Sequence, residues 1–341
     1  MIKIAVDAMG GDNFPQAPVK GALLALKEVK NLKIVFVGDK NLIEKELERN
    51  HFKDYTRIEI HHTKDYIRMD VAQPAKEVKA NKFASINEGM KLLRDDHVKG
   101  LVSAGNTGAY MASSLFLLGR IKGVLRPAIT AVFPTKKLNK GTVVLDLGAN
   151  ADCKSEHLEQ FGILGSIFAQ DILNIEKPKV ALLNIGEEES KGNTLQIESF
   201  SLLSKNKNIN FIGNIEPNQI IDGSTDVVIM DGFSGNIMLK TSEAAFSLIK
   251  NTLVTELKRN IFTMMIGLFL KNILKKFSNK LDIAEYGGAM ILGVNGIVLK
   301  THGNSDGKAI KNSIKLAYRF AEKDVVDQIK KSILNTDGNR S

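Results

Sequence analysis

A short apolar run leads directly into a glycine-rich turn near the start of the sequence: Ile2-Lys3-Ile4-Ala5-Val6, then Asp7-Ala8-Met9-Gly10-Gly11-Asp12. An apolar run of this length that ends at a turn predicts a buried β-strand. The same arrangement recurs along the chain, where short apolar runs alternate with longer helical patterns. This alternation predicts an α/β protein, a three-layer α/β/α Rossmann-like architecture with a mainly parallel sheet.

The predicted elements cover most of the chain. We predict strands at 2–6, 34–37, 58–61, 100–102, 129–133, 142–147, 179–184, 209–212, 227–230 and 297–300. We predict helices at 15–30, 85–95, 107–120, 155–173, 195–205 and 236–258. Without a repeat or a low-complexity linker, we expect one α/β domain over residues 1–341, with a helical excursion at about 236–285.

Six of the predicted strands are followed by turns rich in Gly, Asn and Asp. These turns begin at Asp7, Ser103, Gly148, Ile185, Gly213 and Asp231. The carboxyl ends of parallel strands meet at one edge of an open sheet, and ligands bind at that edge. Glycine allows close backbone approach, and the following helix offers free N–H groups to an anion. Each turn alone is typical of ordinary strand–helix connections, but six together favour a site for a phosphate or a developing oxyanion.

Composition and missing motifs exclude several classes of protein. With 43% apolar and 25% charged residues over 341 positions, the chain has a globular composition, and one cysteine excludes a disulfide framework. With no Trp and only 5 Tyr, the chain is poor in the residues that stack on bases, so we expect no nucleic-acid partner. There is no P-loop, no glycine-rich dinucleotide motif after a strand and no metal-ligand spacing among the six His, so we expect neither metal nor cofactor.

Three groups of residues are candidates for chemistry. Lys191 follows three glutamates in a turn before a helix, where an ammonium group can orient a phosphate or merely balance the acids. Cys153 and His157 are four residues apart, which allows a Cys–His nucleophile, although a small buried cysteine is the simpler interpretation. His302 follows another predicted strand and is expected to face the same edge.

At the level of whole motifs, the sequence resembles the PlsX family, the bacterial acyl-carrier-protein:phosphate acyltransferases of phospholipid synthesis. The resemblance runs in order from about residue 2 to 320. It is carried by Asp7–Asp12, Ser103–Ala109, Arg126-Pro127-Ala128, Leu145–Asn150, Asn184–Glu188, Lys191-Gly192, Asp231–Asn236 and Tyr286–Ala289. The implied reaction transfers a fatty acyl group from the acyl-carrier-protein thioester to inorganic phosphate, giving acyl phosphate and free carrier protein.

The resemblance implies roles for individual residues. Lys191 and Asn236 would be catalytic, Lys191 by orienting phosphate and Asn236 by stabilising phosphate or the oxyanion together with backbone N–H groups near Gly232 and Gly235. We expect the remaining substrate-binding residues to line the same pocket: Asn106, Gly105, Thr107, Asn150 and His302. Phosphate is itself an anionic nucleophile, so direct attack requires no covalent enzyme intermediate; it requires positioning and oxyanion stabilisation.

A basic amphipathic segment stands apart from these motifs. Residues 250–280 hold seven of the Lys and Arg residues against Glu256 alone. Apolar and basic side chains of the expected helix lie on opposite faces: Phe269, Leu270, Ile273, Leu274 and Phe277 against Lys271, Lys275 and Lys276. This pattern suits an anionic membrane surface or a subunit interface.

The resemblance implies a cytoplasmic homodimer, peripherally associated with the inner face of the cell membrane, that supplies a membrane glycerol-3-phosphate acyltransferase. No leader or membrane-spanning run is expected from the sequence pattern. Three other functions remain open at this stage: a soluble phosphotransacetylase using acyl-coenzyme A, a non-catalytic scaffold for lipid synthesis, and a Cys153/His157 thioesterase. Acyl-chain preference and the carrier-protein docking surface are not encoded in any motif.

Overall fold

The computed structural model describes residues 1–137, 140–281 and 287–338, without the side chains of 275–281 and 335–338. The described residues form eleven strands: β1 (Ile2–Asp7), β2 (Leu32–Gly38), β3 (Ile58–His62), β4 (Gly100–Ser103), β5 (Ala128–Pro134), β6 (Gly141–Leu145), β7 (Lys179–Leu183), β8 (Asn210–Ile215), β9 (Val227–Ile229), β10 (Ala289–Leu292) and β11 (Ile297–Lys300).

Helices connect most of these strands. They are α1 (Gln16–Glu28), α2 (Lys40–Arg49), α3 (Pro74–Ala80), α4 (Ser85–Arg94), α5 (Thr107–Ser113), α6 (Ser155–Leu173), α7 (Thr194–Lys205), α8 (Pro217–Asp222), α9 (Gly232–Leu257), α10 (Ile261–Leu281), α11 (Gly307–Glu322) and α12 (Val325–Gly338). A short 3₁₀ helix covers Tyr55–Arg57, and the predicted helix at 107–120 ends in a π-helical turn at Ser114–Leu118.

All eleven strands belong to one sheet, in the order β3-β2-β1-β4-β11-β10-β5-β6-β9-β7-β8. Seven of the ten pairings within this described sheet are parallel. The three antiparallel pairings all lie in the middle, where β10 pairs with β11 and β5, and β5 pairs with β6. The mainly parallel three-layer fold is therefore confirmed.

The antiparallel centre divides the sheet into two parallel blocks that run in opposite directions. The carboxyl ends of β1, β4 and β11 meet at one edge, and those of β6, β9 and β7 meet at the opposite edge. We call the turns after β1, β4 and β11 (residues 8–12, 104–107 and 301–305) the first rim. The turns after β6, β9 and β7 (146–150, 230–236 and 184–193) form the second rim. The expectation of one shared edge was wrong.

Helices cover both faces of the sheet. On one face, α1, α6 and α11 bury a continuous apolar layer that includes Phe161 and Phe320. The other face holds one apolar cluster beneath α4 and α5 and a second beneath α8 and α9. Close approach of α6 depends on Gly165, because a Cβ there would lie 2.5 Å from Val227 Cγ1.

The predicted excursion consists of the two long helices α9 and α10, of 26 and 21 residues. Residues 282–285 of that prediction, and Tyr286 of the quoted motif, lie outside the described part. Several apolar side chains on these helices are exposed, including Leu248, Ile261 and Phe269, the last with 85% of its surface accessible. Within the described ranges, neither of them, nor any other helix, combines the length and apolar character that a membrane span requires.

Candidate active site

The second rim is built around the buried carboxylate of Asp146, which follows β6. Its Oδ1 accepts the backbone N–H groups of Ile129 at 2.9 Å, Gly148 at 3.2 Å and Ala149 at 3.0 Å. Its Oδ2 accepts the backbone N–H and the side-chain amide of Asn150, at 2.7 and 2.8 Å. Burial raises the pKa of Asp146 although these hydrogen bonds favour the carboxylate. Asp146 thus shapes the turn that carries Asn150.

The first turn of α9 packs directly against this turn. A Cβ at Gly235 would lie 1.8 Å from the Asp146 carbonyl oxygen, and one at Gly232 would lie 2.6 Å from the carbonyl oxygen of Asn150. The N–H of Gly232 donates to Asn150 O at 2.8 Å, and that of Gly235 donates to Asp231 O at 3.0 Å. Because both N–H groups are used internally, the expectation that they bind the oxyanion is corrected: these glycines place the helix.

Asn236 occupies a different environment from Asn150. The Asn150 amide donates to Pro127 O at 2.7 Å as well as to Asp146, and the residue is 9% exposed. Asn236 is exposed in the second turn of α9, and a Cβ at Gly148 would lie 3.3 Å from Asn236 Cβ. With φ of +121°, Gly148 leaves the backbone open beside Asn236. The Asn236 side chain is therefore exposed beside Gly148 at this rim.

Lys191 lies in the turn that follows β7, two strands from β6 in the same parallel block. Its ammonium group is 3.7 Å from Glu188 Oε1, and the side chain is 47% exposed. The Asn184 amide donates to Lys191 O at 3.0 Å and holds the turn. Gly192 and the α9 residue Phe233 line a common cavity of about 920 Å³, so this turn borders the amino-terminal part of α9.

The first rim is built by a similar device around Asp7. Ser103 Oγ donates to Asp7 Oδ2 at 2.7 Å and accepts the Gly105 N–H at 2.9 Å. A Cβ at Gly10 would lie 2.7 Å from both Asp7 Oδ2 and Ser103 Oγ. Burial raises the pKa of Asp7, against the effect of these hydrogen bonds.

Asn106 is engaged on both sides of its amide. Its Oδ1 accepts the Ala109 N–H at 3.0 Å, which caps α5 at Thr107, and its Nδ2 donates to Met69 O at 2.8 Å. Four strand spacings, roughly 19 Å, and opposite strand directions separate Asn106 from Asn150. The expectation that they line one pocket is corrected: Gly105, Asn106 and Thr107 belong to the first rim, and Asn150 and Asn236 to the second.

Helix α9 connects the two rims. It begins at Gly232 beside Asn150, and its Glu243 reaches His302 of the first rim, with Oε1 2.9 Å from Nε2. His302 and Lys240 together lower the pKa of Glu243 to about 2. Asn236, Lys240 and Glu243 share one face of the helix because they are four and three residues apart. This face of α9 therefore links His302 of the first rim to Asn236 of the second rim.

Sequence reasoning missed Lys300, the last residue of β11. Burial is the main cause that lowers the pKa of its ammonium group to about 8, and the charge of Lys240 acts in the same direction. Its Nζ donates to Thr301 O at 2.7 Å. The sequence did hold a signal for Lys300, since this lysine ends an apolar strand just before His302.

Arg126 was quoted as part of a motif, but it was given no role. With His157 and Asn150 it lines a cavity of about 520 Å³ at the start of β5, beside the second rim. Its side chain is exposed. The position follows from the antiparallel pairing of β5 with β6, which brings the amino end of one strand to the carboxyl end of the other.

The geometry disfavours a Cys153–His157 nucleophile. Cys153 Sγ faces Asn150 O at 3.6 Å, and burial raises the thiol pKa to about 12. His157 Nδ1 instead accepts the Lys154 N–H at 3.1 Å, where it caps α6. A thiol that stays protonated and is not paired with the imidazole is a poor nucleophile. Among the described residues, no group of three or more His, Cys, Asp and Glu is suited to hold a metal ion.

The comparisons with known proteins cover nearly the whole chain. Residues 2–328 match the model of the family described as fatty acid synthesis protein. A phosphate acyltransferase from Dictyoglomus turgidum is 46% identical over 328 residues, covering 96% of each chain. A phosphate acyltransferase from Fusobacterium nucleatum is 45% identical over 332 residues, covering 97% of this chain and 99% of its own.

Solved structures of lower identity share the fold. EutD phosphotransacetylase from Staphylococcus aureus is 16% identical, with 94% of each chain covered and a TM-score of 0.59. A phosphotransacetylase from Streptococcus pyogenes is 17% identical, with the same coverage and a TM-score of 0.60. The family match and the long, close relatives confirm the resemblance found in the sequence, and the chain therefore belongs to the fatty acid synthesis protein family that includes the phosphate acyltransferases.

Proposed function

We propose that this protein transfers a fatty acyl group from the thioester of acyl carrier protein to inorganic phosphate, releasing acyl phosphate and the free carrier thiol. A phosphate oxygen attacks the thioester carbonyl, the C–S bond breaks, and the thiolate leaves with its electron pair. A thiol with an ordinary pKa near 8.5 departs with little acid assistance. The relatives' names and the family match support the acyl-transfer reaction.

The observation that carries the proposal is the exposed Asn236 amide at the amino-terminal part of α9, beside the open backbone of Gly148. Asn236 would donate to the phosphate or to the oxyanion of the tetrahedral intermediate. Lys191, in the neighbouring turn of the same rim, would orient phosphate as a point charge. Asn150 would act by fixing the Gly148 turn, because its own amide is already bound.

The first-rim residues would have a positioning role rather than contact the phosphate. Asn106, with Gly105 and Thr107, would hold the loop that contains Met69, and His302 would position α9 through Glu243. These roles are indirect, since they act on the backbone and on a helix. Direct contact with phosphate is assigned to the second rim alone.

The helices α9 and α10 would serve association. Exposed Phe269, Leu270 and Ile273 with Lys271 form an apolar face edged by charge, as a peripheral contact with an anionic membrane requires. The side chains of Lys275, Lys276 and Phe277, which complete the predicted face, lie outside the described part. Exposed Leu248 and Ile249 on α9 support a homodimer. Such a location suits delivery of the product to a membrane glycerol-3-phosphate acyltransferase.

The decisive experiment measures thiol release from acyl carrier protein and from coenzyme A thioesters of the same chain length, with and without inorganic phosphate. We expect phosphate-dependent release and a preference for the carrier protein. Lys191→Ala should raise the KM for phosphate about tenfold or more, whereas Lys207→Ala, a remote exposed lysine, should behave as the wild type. Equal or better use of coenzyme A would indicate a soluble phosphotransacetylase, and no release would leave only a scaffold.

Membrane contact is tested separately. Leu270→Glu combined with Ile273→Glu places two charges in the apolar face and should abolish cosedimentation with anionic vesicles, while activity on a soluble donor persists. Unchanged sedimentation would exclude this face as the membrane contact.

A further inference from the structure

We propose that the groove between α9 and the β7–α8 side of the sheet binds the acyl chain of the substrate. This inference rests on the proposed function, since it names where the apolar part of the donor and the product lies. The groove shares Ile185, Gly192 and Phe233 with the second rim and extends beyond it along α9.

The groove has a volume of about 920 Å³ and a largely apolar lining. Its apolar walls come from several elements, with Ile185 and Ile221 on one side and Phe233, Ile237, Met238 and Ala245 of α9 on the other. No Asp, Glu, Lys or Arg is among the described lining residues. Three of these side chains are more than half exposed: Ile185 at 80%, Phe233 at 63% and Ile237 at 51%.

Exposed apolar side chains that surround a cavity are typical of a site for an apolar ligand. The lining extends along α9 from Phe233 to Ala245, which is about 18 Å of helix. An extended chain advances about 1.2 Å per bond, so the groove accommodates roughly fifteen bonds. That length matches a fatty acyl chain and exceeds what a small acyl group requires.

One end of the groove meets the proposed reaction site. Asn184, Gly192 and Asn193 flank Lys191 in the turn after β7, and Ser234 begins the turn of α9 that presents Asn236. The groove therefore begins beside Lys191 and extends along α9, where the apolar side chains are interrupted by the uncharged Thr241 and Ser242. An acyl phosphate can place its phosphate at Lys191 and its acyl chain in the groove along α9.

A fluorescence reporter tests occupancy without turnover. The chain contains no Trp, so Phe233→Trp introduces a single fluorophore into the groove. We expect dodecyl phosphate, below its micellar concentration, to shift the emission to shorter wavelength in a saturable manner. Inorganic phosphate alone should leave the emission unchanged. Ile212→Trp, at a 44% exposed position of β8 outside the groove, is the matched control and should not respond.

Chain-length dependence tests the same groove by activity. Ile221→Trp narrows the groove from α8, away from Asn236. We expect its KM for a sixteen-carbon donor to rise about tenfold or more, since each methylene kept out of an apolar site loses roughly fourfold in affinity. A four-carbon donor should keep its KM within about twofold. Ile212→Trp should resemble the wild type on both donors.

The outcomes separate this inference from the proposed function. A saturable shift in Phe233→Trp supports the groove even if the wild type releases no thiol with phosphate, a result that would remove the proposed reaction. An active wild type with unchanged chain-length dependence in Ile221→Trp, and no shift in the reporter, would overturn the groove. Emission that changes with protein concentration but not with dodecyl phosphate would also overturn it, because a second copy of the chain would then cover the groove.

Discussion

The two rims of the sheet are built in the same way, but they differ in which side chains remain exposed. In each, a buried aspartate at the end of a strand binds the following turn, and a glycine packs within van der Waals distance of that arrangement: Asp7 with Gly10, and Asp146 with Gly235. At the first rim both polar atoms of the Asn106 amide are hydrogen-bonded: its oxygen caps α5, and its nitrogen donates to a backbone carbonyl. At the second rim Asn236 projects into solvent.

The difference shows that a turn's composition does not decide its role. Both turns are rich in Gly and Asn, and the same residue type has a structural task at one rim and is available to a ligand at the other. What separates them is hydrogen-bond satisfaction: an amide whose oxygen and nitrogen are both engaged has little left to offer phosphate. We therefore predict opposite consequences for equivalent changes at the two rims.

The largest effect is expected where α9 meets the second rim. Gly235→Ala would place a Cβ 1.8 Å from the Asp146 carbonyl oxygen, so the helix must move away from the turn. We expect a loss of about 3 kcal/mol in the free energy of unfolding, at the upper end for an overpacked site, measured by urea denaturation.

Gly267→Ala is the control for that change, because its Cβ would meet only Leu257 side-chain atoms at 3.5 Å or more. Alanine should leave stability unchanged or raise it by up to about 1 kcal/mol, since glycine is the poorer helix former. If Gly235→Ala unfolds at the wild-type urea concentration, the close packing at the second rim is not as described.

A smaller effect is expected at the first rim, where Lys300 is partly buried. Its pKa of about 8 lies below the ordinary lysine value, so the folded state disfavours the charged form. The resulting destabilisation is present at neutral pH and disappears as the pH rises through 8 towards the unfolded-state value. Lys300→Met should therefore be more stable than the wild type at pH 7, by about 2 kcal/mol more than at pH 10.

Urea denaturation of both proteins at the two pH values measures this change. A stability difference that is the same at pH 7 and pH 10 would contradict the burial of a charged Lys300. Comparing Lys300→Met with the wild type at the same pH cancels the effects of the other titrating groups, provided that the substitution does not change them.

The strands and the turns were predictable because their signals are local. The apolar runs that became β1, β4, β6 and β9 were each predicted, and the motifs after them fall at carboxyl ends as expected. Strand β10 was missed because Ala289–Leu292 is short and follows Gly287 and Gly288, so nothing marks it as a separate strand. It is antiparallel to both of its neighbours, so β11 and β5 still run in the same direction, and the reversal of the second block comes from the antiparallel pairing of β5 with β6.

That reversal explains the main error about the site. Only six residues separate β5 from β6, too few for a parallel crossover, so the antiparallel pairing of Thr130 with Leu145 had a local signal that the prediction did not use. The placement of β10 had no such signal, because it pairs residues far apart in sequence, such as Met290 with Thr130. The contacts of Lys300 and Glu243 also had no local signal, because they arise only where α9 crosses to the first rim. Sequence patterns indicated the residue types of both rims, and the short connection between β5 and β6 was the signal for their division between two edges.

The most direct test of this account pairs Asn236→Ala with Asn106→Ala and measures both kcat/KM for phosphate-dependent thiol release and the free energy of unfolding. We predict that Asn236→Ala lowers kcat/KM by roughly 10²–10³-fold at nearly unchanged stability, and that Asn106→Ala loses about 1 kcal/mol of stability and less than tenfold in activity. A greater loss of activity in Asn106→Ala than in Asn236→Ala would contradict the assignment of phosphate chemistry to the second rim.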